Sequence, residues 1–245
     1  MKAALVTGGS KGIGLEMVLR LLALGYQVIT CSRNPTIWQQ AVAHYPQLES
    51  VDYHALDIAD EQAVIRFFGA IDARYGKLDV AVNNASPALA SRGAYETVAD
   101  YLLKETLNQD FWAQALCLKY ELGLMSSGAS IVNISSVNGL RPTPNAAMYS
   151  AAKHALEGLT RSLALENIAQ GIRINAVAPG VTWTPRWDER QLEVPSIRDD
   201  VSAVVPMERF ARPDEIVDAV EFLISAKASY IVGHTLVVDG GLSLA

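Results

Sequence analysis

Cysteine is scarce: among 245 residues only Cys31 and Cys117 occur. Two thiols in separate apolar runs exclude a disulfide framework and a cysteine-ligated metal, and read as small core residues in a reducing compartment. Histidine is equally thin, since His44, His54, His154 and His234 are scattered without ligand spacing, so no metal is expected. Cations are the minority, 20 Lys and Arg against 26 Asp and Glu, a formal charge of -6 that advertises no face for nucleic acid. No uncharged run approaches membrane-spanning length, and the apolar run after Lys2 is too short for a signal peptide. A cytoplasmic protein with neither membrane nor nucleic acid as partner is expected. Linkers, repeats and low-complexity tracts are also missing, which argues for one domain over 1–245.

Half of the residues are hydrophobic, ample for a core. Strand-like apolar runs over 3–7, 27–31, 49–55, 78–83, 130–135, 173–178 and 235–238 alternate with helical periodicity over 12–24, 36–44, 61–75, 97–124, 147–170 and 213–225. The runs are rich in Val, Ile and Leu without clean alternation, as when both sheet faces are covered. The pattern predicts an α/β fold: a single-domain doubly wound parallel sheet, Rossmann-like, of about seven strands with helices on both faces. The stretch 181–206, with Trp183, Pro185, Trp187, Pro195 and Pro206, breaks the rhythm just after a strand end and reads as a substrate lid.

The first strand runs into Thr7-Gly8-Gly9-Ser10-Lys11-Gly12-Ile13-Gly14 and then a helix. Glycines there let backbone approach a pyrophosphate, and the helix N-terminus offers it free N–H groups. About eighteen residues beyond Gly14, where a carboxylate would clasp a ribose 2′-hydroxyl, stand Ser32 and Arg33. With Lys11 they suit a 2′-phosphate, so NADP(H) is the expected cofactor. Asp57, followed by Ile58, ends the third strand and either accepts from the adenine amino group or caps the next helix.

Tyr149 and Lys153 lie four residues apart on one helical face, and Ser136 thirteen residues before Tyr149. A free tyrosine ionises near pH ~10, and a neighbouring ammonium is expected to bring it towards the working range. A serine hydroxyl could then hold a carbonyl oxygen while the tyrosine gives or takes a proton.

With these motifs the chain resembles the short-chain dehydrogenase/reductase family over essentially its whole length. The glycine loop, Asn83-Asn84-Ala85, the segment Asn175-Ala176-Val177-Ala178-Pro179-Gly180 followed by Thr182 and Thr184, and the closing Gly233–Gly241 stretch are similar to the family's ordered motifs. The resemblance implies a tetrad of Asn108, Ser136, Tyr149 and Lys153. Tyr149 would be the acid/base, Lys153 would bind the nicotinamide ribose, Ser136 would orient the substrate oxygen and Asn108 would hold a relay water. It implies cofactor contacts from Gly8, Ser10, Lys11, Gly12, Ile13, Gly14, Ser32, Arg33, Asp57, Ile58, Asn84, Ala85, Tyr149, Lys153, Pro179, Gly180, Thr182 and Thr184. Ser86 stands where the family has glycine, which would narrow or polarise the pocket. The expected activity is interconversion of a small-molecule carbonyl and its alcohol by a homotetramer or homodimer. A 3-oxoacyl-carrier-protein reductase is the same-class alternative, opposed by the absence of cations at 125–128 and 169–171; a non-enzymatic dinucleotide sensor is the remote one.

Overall fold

The computed structural model describes residues 2–87 and 89–245. In chain order the elements are β1 (Ala3–Thr7), α1 (Gly12–Ala23), β2 (Gln27–Ser32), α2 (Pro35–His44), β3 (Asp52–Ala55), α3 (Glu61–Tyr75), β4 (Leu78–Asn83), α4 (Asp100–Leu107), α5 (Ala113–Gly123), β5 (Met125–Ile134), α6 (Ala147–Asn167), β6 (Arg173–Pro179), α7 (Pro185–Glu193), α8 (Ile197–Ser202), α9 (Pro213–Ile224) and β7 (Thr235–Val238). All seven strands are parallel, in the order β3-β2-β1-β4-β5-β6-β7.

Strand alternation divides the core into two layers. On β1, Leu5 packs with Phe67, Phe68, Leu118 and Leu156 on the α3, α5 and α6 side. Its neighbours Ala4 and Val6 face Met17, Leu21, Val217 and Val220 of α1 and α9. Both faces of β1 are therefore dry, which explains its unbroken apolar run. Local signals set the helix ends. Asp60 Oδ1 accepts from the Ala63 N–H at 3.0 Å to start α3, and Gly76 ends it in the left-handed region at φ 67°.

Three segments depart from the sequence pattern. The strand expected over 49–55 begins only at Asp52, because Pro46–Ser50 winds into a 3-10 turn. The strand expected from 130 begins at Met125 and joins β4 with a shift in register between Leu78 and Val80. The single helix expected over 97–124 is two, α4 and α5, joined by a π-helical turn, Asn108–Trp112, in which the Ala113 N–H bonds back to the Asn108 carbonyl. The sheet order reverses between β1 and β4, and this is where an open α/β sheet has its crevice, at the C-terminal strand ends.

Candidate active site

β1 ends in a loop held from several directions. The Gly8 N–H bonds to the Cys31 carbonyl at 2.8 Å. Thr7 Oγ1 accepts from the backbone N–H groups of Asn84 and Ala85 at 3.0 and 3.1 Å, while Asn84 Nδ2 donates to the Thr7 and Gly8 carbonyls at 3.1 and 3.2 Å. At Gly14 a β-carbon would stand 2.2 Å from the Gly8 oxygen, so only glycine permits this closure. No side chain caps α1, and its first turn holds no acid, so its N–H groups stay open to an anion. Ser10 is buried in the loop, and Ile13 packs on the core beneath it. The cradle fits a dinucleotide pyrophosphate.

At the other end of that cradle Ser32 Oγ lies 3.0 Å from the Tyr53 hydroxyl. Arg33 Nη1 is 3.9 Å from Asp57 Oδ2, and Lys11 Nζ is 3.6 Å from Glu189 Oε1. All four charges are substantially exposed, so these pairs hold little energy and exchange readily for a phosphate. Of the two roles considered for Asp57, the cap belongs to Asp60; Asp57 Oδ1 instead accepts from the Ala59 N–H at 2.9 Å. Ile58 is a core residue, 8 % exposed. A groove beside the β2 end is lined by Arg33, Pro87, Ala90 and Asp110.

After β6, Gly180 packs against Asp239, and Thr182 is buried with Oγ1 3.5 Å from the Gly180 carbonyl. Thr184 comes against Gly12, where a β-carbon would stand 3.1 Å from its methyl, and its hydroxyl makes no cap bond to α7. The segment Pro179–Thr184 thus closes over the glycine loop. The region expected as a lid folds as α7 and α8, tied back by a bridge between Thr182 and Ala211.

α6 carries Tyr149 and Lys153. Lys153 is 1 % exposed; its Nζ donates to the Ile134 carbonyl at 3.2 Å and stands 5.7 Å from the Tyr149 ring centre. The Ser136 oxygen accepts from the Asn138 N–H at 3.1 Å, whereas neighbouring Ser135 is buried. Burial and the Asp110 charge push the Tyr149 phenol up to about 12, against the opposing pull of Arg186 and of hydrogen bonding with Ser136 and Ser86. Lys153 is pushed down by burial, held up by Asp110, lowered by Arg186 and raised by Glu157. The expectation that Lys153 brings the phenol towards neutrality is thus not met by the protein alone, because desolvation dominates.

Asn108 is not joined to this group. It is half-buried, and its side chain makes no hydrogen bond among the described residues. Asp110, 1 % exposed, accepts from Ser86 Oγ at 2.5 Å, and its charge is felt by both Tyr149 and Lys153. Arg186 of α7 donates through Nη2 to the Ser86 and Pro87 carbonyls, each at 2.8 Å. Sequence reasoning missed Asp110 and Arg186 and treated Ser86 only as a replaced glycine. A signal for Asp110 was present: Thr106, Asp110, Ala113 and Cys117, spaced by four, three and four, are all buried.

A family model described as enoyl-(acyl carrier protein) reductase matches residues 8–243. The chain is 36% identical over 249 residues to the short chain dehydrogenase/reductase astE of Aspergillus oryzae, covering 99% of this chain and 95% of that protein. It is 32% identical over 265 residues to the 3beta-hydroxysteroid dehydrogenase of Mediterraneibacter gnavus, covering 99% and 95%. The solved structure of ElxO with NADP bound superposes with a TM-score of 0.93 at 33% identity, over 100% of this chain and 99% of that one. A glycine cradle at the sheet's switch point, a Tyr–Lys pair on the helix after β5 and end-to-end similarity agree: this chain belongs to the short-chain dehydrogenase/reductase family, oxidoreductases that act on CH–OH and C=O groups.

Proposed function

We propose that the protein is an NADP(H)-dependent reductase of a small-molecule carbonyl, with Tyr149 as the proton donor. The observation that carries this reading is the placement of Lys153 Nζ 5.7 Å from the Tyr149 ring centre on the helix after β5, where burial keeps the phenol in the protonated form that reduction consumes. When bound, the reduced nicotinamide supplies a hydride to the carbonyl carbon. Ser136 orients the carbonyl oxygen towards Tyr149, whose proton that oxygen takes. Lys153, held in place by the Ile134 carbonyl, holds the cofactor ribose and steadies the phenolate as it forms. Asp110, tied to Ser86, takes the place expected for Asn108 beside the relay and keeps Lys153 charged against its burial.

Ser32, Arg33 and Lys11 receive the adenosine 2′-phosphate, and the glycine loop with Asn84 and Ala85 forms the pyrophosphate floor. Gly180, Thr182 and Thr184 position the carboxamide side, and α7 and α8 close over the substrate as a lid on a single domain. ElxO, with NADP bound, supports the cofactor choice by similarity. No helix among the described residues is long and apolar enough to cross a membrane, and a cytoplasmic location is proposed. The exposed Tyr101, Trp112 and Leu165 on the α4–α6 side give a homotetramer or homodimer an apolar face to cover.

The test follows oxidation of NADPH by wild type and Tyr149→Phe across a ketone panel. The variant is expected to bind NADPH as wild type does and to lose nearly all turnover. More than about a tenth of the wild-type rate would contradict the proton-donor role.

A further inference from the structure

Three arginines carry charges that act on one another beside the reaction site. Arg186 and Arg190 stand one turn apart on α7 and share a face; Arg92 lies on the loop after β4. Arg186 spends Nη2 on the Ser86 and Pro87 carbonyls, and its charge reaches Tyr149. The Arg190 guanidinium lies 4.5 Å from the Trp187 ring centre. Its pKa is lowered by burial, then by the charges of Arg92 and Arg186, with Glu193 opposing. Among the described residues none of the three has a carboxylate within 4.0 Å; of the other arginines Arg20, Arg33, Arg74, Arg161, Arg209 and Arg212 do, and Arg66, Arg141, Arg173 and Arg198 do not.

Of the nearby acids Glu193 alone acts on Arg190, from beyond 4.0 Å, and the others are engaged elsewhere. Asp110 accepts from Ser86, Asp188 from Trp183 Nε1 at 2.9 Å, and Glu189 faces Lys11. In a chain of net charge -6, three mutually repelling cations at the mouth of a reaction site destabilise the free protein and are relieved by an arriving anion. A guanidinium half-buried against an indole favours a planar, weakly hydrated carboxylate, which it can hold by two parallel hydrogen bonds.

We propose that the substrate is a carboxylic acid, a keto acid reduced to its hydroxy acid. Its carbonyl sits at Tyr149 and Ser136 and its carboxylate is held by Arg190 and Arg92, outward of Arg186. The proposal rests on the reductase reading and adds the substrate class to it.

The experiment compares kcat/KM for a graded series of keto acids with that for their methyl esters, in wild type and in Arg92→Gln/Arg190→Gln. Wild type is expected to favour the acids by about tenfold or more, a preference that weakens with salt and collapses in the variant. Esters used as well as acids, or an acid preference that survives in the variant, overturn the proposal. So does better turnover of a keto-sugar phosphate or of a carrier-bound β-ketoacyl thioester. If neither acids nor esters react with NADPH or NADH, the reductase reading fails instead. Titration of the tryptophan emission then decides the substrate class: keto acids should perturb Trp187 and esters should not, and equal or absent responses overturn it.

Discussion

Glu121 offers a quantitative test of the core beneath the active site. It lies on α5 with no exposed surface, and burial pushes its carboxyl from 4.5 to about 7, moderated by a hydrogen bond from Asn83 Nδ2 at 2.9 Å. The same Asn83 nitrogen donates to Asn133 at 3.1 Å, and Asn133 donates to Thr160 at 2.9 Å, so the network links α5, β4, β5 and α6. Glu121 Oε1 and Asn83 Oδ1 find no partner within it. In the unfolded chain this carboxyl releases its proton near 4.5, and in the folded one near 7, so between those values the folded form holds the extra proton. Stability therefore falls as pH rises from about 4.5 to about 7 and is flat above, a loss of about 3 kcal/mol from this group. Glu121→Gln keeps the shape and removes the ionisation. It is expected to match wild type at pH ~4 and to exceed it by about 3 kcal/mol at pH ~8, roughly 6–12 °C in Tm for a chain of this size. Equilibrium urea unfolding at both pH values measures the difference. A variant less stable than wild type at the higher pH would show that the carboxylate is solvated in place, and the reasoning would be wrong.

Three further outcomes follow from the site. Asp110→Asn removes a negative charge that raises the Tyr149 pKa, so the acid limb of alcohol oxidation should move to lower pH, and an unchanged kcat/KM profile would refute the coupling. Ser32→Asp with Arg33→Ala should shift preference from NADP(H) towards NAD(H) by roughly tenfold to a few hundredfold, measured as kcat/KM at fixed ionic strength; a wild type that already prefers NAD(H) would show these side chains pointing to water. Gly14→Ala drives a β-carbon to within 2.2 Å of the Gly8 oxygen and 2.4 Å of Asn84 Nδ2, and should weaken cofactor binding by about tenfold or more. Wild-type affinity in that variant would mean the loop relaxes freely.

The parallel sheet was legible because its signals are local. Apolar runs such as Ala3–Thr7 and Leu78–Asn83 depend on a few neighbouring residues, whereas the cap fell to Asp60 and not to Asp57. The Tyr149–Lys153 pair was legible for the same reason, since one helical turn sets it. Asp110 was legible only through its spacing with Thr106, Ala113 and Cys117, while the motif order pointed to Asn108 and the π-helical turn between the two helices left no local mark. Arg186 was out of reach: its partners Ser86 and Pro87 lie about a hundred residues away and meet it only once the sheet has formed. The high Tyr149 pKa likewise reports burial by the assembled fold, which no spacing encodes.

The wide turn at Asn108–Trp112 also governs how the chain tolerates changes in length. An α-helix advances about 100° per residue, and the π turn takes up one residue without that advance, so deleting one residue between α4 and α5 would rewind the turn to regular helix while the two halves keep their phase. Thr106 and Cys117 would then stay in the interior, and only Asp110, inside the turn, would swing off the Tyr149 side. The splice thus acts on its own turn alone: its extra residue re-aims the side chains at Asn108–Trp112 and leaves the bearings of α4 and α5 as a regular helix would set them.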